Sequence, residues 1–146
     1  MRPVLVLALL AQVACDGETG DLTRDVGGPV LACGGGAEGD EGDERAWSAV
    51  YRSLMDGGDV TGDGDVRVAI LSTEKENGWL PAYFEWLGAD SAVNVQVPDL
   101  ATAELNALVD ADAVFIKGGD QGEYYDAWRD TALHEGILRV LERGGG

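Results

Sequence analysis

Histidine occurs once in these 146 residues, cysteine twice, and basic residues only 10 times against 27 acidic ones. Each scarcity closes off a class of function. A formal charge of -17 repels polyanions wherever charge is felt, which argues against nucleic acid and anionic lipid headgroups as partners. Two cysteines, Cys15 and Cys33, do not make a disulfide framework. The apolar run Val4 to Ala11 is too short to stay in a bilayer as a spanning helix. The length has room for about one domain, so function must come from one core and what its ends add.

What is present begins with an export pattern. Arg2, the apolar run and then Gln12-Val13-Ala14-Cys15 read as a secretory signal over residues 1–14. Ala14-Cys15 resembles the lipobox of bacterial lipoproteins, in which the cysteine is acylated and becomes the new N-terminus; Gln12 stands where an aliphatic residue is usual. Two outcomes follow, acylation at Cys15 with membrane attachment through the lipid, or ordinary cleavage near Ala14. Residues 15–27 then form an acidic tether, with the composition of a flexible linker from Asp16 to Asp25. Cys33, inside an apolar run, reads as a small buried hydrophobe, with a thiol beside a site as the alternative.

From Gly28 onward short apolar runs alternate with amphipathic stretches. Strands are expected at Pro29–Cys33, Val66–Leu71, Val93–Val97 and Ala113–Ile116, the last being the clearest buried strand in the chain. Helices are expected at Ala46–Met55, at Ala82–Leu87 opened by Pro81 and closed by Gly88, and at Thr102–Val109. A final helix is expected from Tyr124 to Leu141, with Gly136 as its weak point. This alternation predicts an α/β fold with a mainly parallel sheet covered by helices. Residues 37–44 and 56–65, rich in Gly and acid, read as solvated loops.

In an open parallel sheet, ligands bind beyond the carboxyl ends of the strands, where loops diverge and helix N-termini present N–H groups. Three segments are expected there: Gly34-Gly35-Gly36, Ser72-Thr73 and Gly118-Gly119-Asp120-Gln121. Consecutive glycines let backbone approach a ligand and direct N–H groups at it, as an oxyanion hole requires; either cluster alone also reads as a tight turn.

The order PVLACGGG, VAILST, a helix followed by LGA, DAVFIKGGDQ and a helix containing W-x-x-T-x-L resembles the N-terminal half of cyanophycinases and dipeptidase-E-like serine peptidases. The resemblance runs over residues 28–146. It implies a three-layer αβα arrangement like class I glutamine amidotransferases, a flavodoxin-like fold, with a serine nucleophile on a strand-to-helix elbow. It further implies that Gly118 and Gly119 line an oxyanion hole, with Asp120 in the same segment. Gln121 would hold substrate near the scissile bond, and Glu38, after Gly34, Gly35 and Gly36, would match another substrate-side position. The implied substrates are isoaspartyl peptides or the β-Asp-Arg units of cyanophycin. No cofactor or metal is implied.

In the family a G-x-S-A-G-like elbow and a later histidine follow the GGDQ helix, whereas these 146 residues end at Gly144-Gly145-Gly146. The serines present lack elbow context: Ser48 and Ser53 fall in a helix, Ser72 at a strand end, Ser91 in a turn. His134 reads as an exposed helical residue rather than a general base. The expectation is an exported cyanophycinase-like hydrolase, inactive as these residues stand. The alternative is a non-catalytic lipoprotein binding an acidic or peptide ligand in the Gly-rich cleft. Asp59 to Val66 also looks like the start of a calcium loop, but Ile70 occupies the twelfth position, where a bidentate carboxylate is needed. An acidic turn or a weak surface calcium site remain as readings of it.

Overall fold

A computed structural model describes residues 27–28, 48–72, 78–96, 102–118 and 120–146, with the side chains of Thr102 and Glu104 left aside. The element order is α1 (Ser48–Leu54), β1 (Arg67–Ser72), α2 (Trp79–Leu87), β2 (Ser91–Gln96), α3 (Thr102–Val109), β3 (Ala113–Ile116), α4 (Gln121–Trp128) and α5 (Ala132–Glu142). The expected strand Pro29–Cys33, Gly34 to Gly36, Glu38, Gly119 and Cys15 lie outside the described residues.

The three strands form one parallel sheet in the order β2-β1-β3. Val68 aligns with Ala92 on one side and Ala113 on the other, so β1 is central. Its centrality explains its burial: Val68 to Ser72 are all covered. Parallel strands enclosed on both faces become unbroken apolar runs, and VAIL is one. The protein is therefore α/β, with helices on both faces of an open parallel sheet, a three-layer flavodoxin-like arrangement.

One face packs under α1 and α2. Leu80, Tyr83, Phe84 and Leu87 recur at intervals of three and four, which places them on a single stripe of α2. They meet Tyr51 and Leu54 of α1, with Val68 and Ile70 of β1. Tyr51 sits edge-on to Phe115 with ring centres 5.1 Å apart, and Phe84 lies 5.2 Å from the same ring. The opposite face packs under α3 and α5, where Leu108, Leu133 and Val140 cover Ala69, Leu71 and Val95.

Several expectations change. The run AVFI is not the best-buried strand, for only Ala113 is fully covered and Ile116 is exposed. Beyond β3 lies no further full strand among the described residues. Ser91 is the first residue of β2 rather than part of a turn, and Val97 lies outside the described residues. The second helix begins at Trp79, so Pro81 occupies its third position, where a missing N–H costs nothing because the first-turn donors have no intrahelical acceptor. Gly88 does close it, donating to Phe84 and Glu85 carbonyls.

The expected long last helix is two helices, broken at Arg129 to Thr131. Asp130 there adopts φ 58, a left-handed conformation that interrupts helical bonding. Gly136, the supposed weak point, lies buried inside α5. A Cβ at this position would stand 2.5 Å from Leu108 Cδ2, so the glycine is what lets α3 and α5 approach.

The terminal glycines are also structural. Gly146 donates to the Asp112 carbonyl at 3.2 Å and accepts from the Val114 amide at 2.6 Å, a single parallel bridge on the outer edge of β3. Gly145 and Gly146 are buried. A Cβ on either would lie within 2.4 Å of a backbone oxygen, of Asp112 or Leu54, and backbone cannot swing aside as a side chain can.

Candidate functional site

The chain leaves β1 through α2 toward β2, and leaves β3 through α4 and α5 toward Gly146 on the far edge. The two exits diverge at the carboxyl ends of β1 and β3. This is the topological switch point at which open α/β sheets receive ligands. Ser72 ends β1 there, 2% exposed, and Lys117 continues β3 beside it, its amide donating to the Leu71 carbonyl at 3.0 Å. The structure thus sets Ser72 and Lys117 on neighbouring strands at the same end of the sheet.

Gly118 follows directly, and the turn is anchored from the helix side. The Tyr124 hydroxyl donates to the Lys117 carbonyl at 2.8 Å and lies 3.3 Å from the Gly118 carbonyl. In a trans peptide the N–H points opposite its carbonyl, so holding the Lys117 oxygen on Tyr124 turns the Gly118 N–H away from α4. Tyr124 itself is buried and stacks on Trp128 with ring centres 4.5 Å apart. Sequence reasoning assigned Tyr124 no role. The signal available was an aromatic hydroxyl in the first helical turn after GGDQ, at a distance from the turn that only one helical rise can span.

Asp120 has a structural task. It is the N-cap of α4, its carboxylate accepting from the Gly122 amide at 2.7 Å. That bond satisfies one of the donors left unpaired at a helix start, and the negative charge suits the positive end of the helix dipole. Gln121 opens the helix and is exposed.

The four serines occupy unlike places. Ser48 is buried in α1, and Ser53 of the same helix donates to the Val50 carbonyl at 2.6 Å. Ser72 closes β1 at the carboxyl end of the sheet, and Ser91 opens β2 at the opposite end. His134 is exposed in the first turn of α5. Thus Ser72 alone of the four lies at the carboxyl end of the sheet, as the last residue of β1, and the five residues after it lie outside the described ones.

The acidic loop at the sheet's amino end is closed on itself. Asp59 accepts from the amides of Gly62, Asp63 and Gly64 and from the Thr61 hydroxyl. The Gly64 amide, foremost among these donors, holds the Asp59 carboxyl below its ordinary pKa. Arg67 pairs with Asp63 and Asp65, and its guanidinium likewise lowers the Asp63 carboxyl. N–H groups aimed at Asp59 oppose a cation, and Ile70 is buried inside β1. An acidic turn is what this segment forms. No group of three or more metal-ligating side chains occurs among the described residues, nor does a helix long and apolar enough to cross a membrane.

Comparison with protein-family models, with curated proteins and with solved structures gives no match to this chain.

Proposed function

We propose that this chain carries the oxyanion and substrate side of a cyanophycinase-like serine peptidase site, in a protein exported and anchored through Cys15, and that its ligand is an isoaspartyl or β-Asp-Arg peptide. The observation that carries the reading is the position of Ser72 and Lys117 at the carboxyl ends of the adjacent strands β1 and β3, with Gly118 following Lys117 and Asp120 capping α4. Backbone N–H groups presented at the carboxyl end of a parallel strand suit a developing oxyanion or a carboxylate. The Tyr124 anchor supports this, since an oxyanion donor acts only if it needs no reorganisation.

A second reading, a module that binds an acidic or peptide ligand without chemistry, is favoured by the serines. Acyl transfer by this route needs a nucleophile with an adjacent base, and Ser48, Ser53 and Ser91 all lie away from the carboxyl ends of β1 and β3.

Calorimetric titration of the purified chain with β-Asp-Arg, alongside an assay for released arginine, tests both. Binding without release is expected, and Gln121→Ala should weaken it about tenfold with far-UV circular dichroism unchanged, the cost of roughly one lost hydrogen bond. Arginine release would exclude the second reading; release that survived alanine at all four serines would overturn the serine mechanism. A folded chain that bound no such peptide would remove both readings.

A further inference from the structure

We draw no further inference here: the strongest candidate, the outer edge of β3 from Val114 to Ile116, where Gly146 makes one parallel bridge and Ile116 is 48% exposed, carries nothing because nothing in the structure shows what covers the rest of that edge.

Discussion

Leu108 of α3 fills the space that a side chain at Gly136 of α5 would need, its Cδ2 standing 2.5 Å and its Cγ 3.1 Å from the position of a Cβ. Both residues are buried, so neither can turn outward to relieve a clash. The pair sets how closely the two helices on this face of the sheet approach.

Gly136→Ala is therefore expected to destabilise the protein, although alanine is the better helix former by about 1 kcal/mol. Overpacking a filled core costs about 1–3 kcal/mol and outweighs that gain. Urea denaturation should show a net loss of roughly 1 kcal/mol. In a Leu108→Ala background the same substitution should be neutral or stabilising; a loss of equal size there would mean that Leu108 is not the obstacle.

Asp112 is buried and its carboxylate accepts three backbone amides, Val60 and Thr61 on one oxygen and Arg67 on the other. It staples the acidic loop to the start of β1, as Asp90 does at the neighbouring Val66 amide. Asp112→Asn can keep one oxygen as acceptor but must present an NH2 to a third N–H. The expected loss is about 2 kcal/mol, with faster hydrogen exchange at Val60, Thr61 or Arg67. Unchanged exchange at all three amides would refute the staple.

The acidic loop should respond to pH with a definite sign. Asp59 and Asp63 have carboxyls held below their ordinary value, so what they contribute is fully present above the ordinary aspartate range, near pH 4. It is lost as pH falls through their depressed folded values. Carboxyl carbon shifts followed by NMR should titrate below those of an unstructured aspartate, and Asp59→Asn should remove Asp59's share of the acid sensitivity while leaving that of Asp63, which Arg67 still pairs. Midpoints at or above the unstructured value would contradict the hydrogen bonding described.

Export is checked at Cys15. Ala14-Cys15 after a charged start and an apolar run leads to the expectation that palmitate analogues label the protein in a bacterial host and that Cys15→Ser abolishes the label and releases protein from the membrane fraction. Wild-type protein without label would leave ordinary cleavage near Ala14 as the outcome.

Periodicity alone determined the class of fold. VAIL reads as a strand because its apolar residues are continuous, and α2 as a helix because Leu80, Tyr83, Phe84 and Leu87 repeat at helical spacing. The turn after β3 was equally legible, since Gly-Gly-Asp ends one element and caps the next. Spacing says nothing, however, about which strand lies beside which. Only tertiary structure could put β1 between β2 and β3, and so make the strand that looked most buried the less buried one. The same holds for Gly136, a defect by propensity and a contact surface by packing, and for Asp130, whose left-handed backbone divides a pattern that reads as continuous. Spacing equally says nothing of why Gly145 and Gly146 must be glycine, which follows from the Asp112 and Leu54 carbonyls that a side chain there would meet. Local preference is a property of neighbours in sequence. Close approach, burial and the pairing of β1 with β3 depend on residues that meet only when the chain has folded, which is why the first could be read and the second had to be seen.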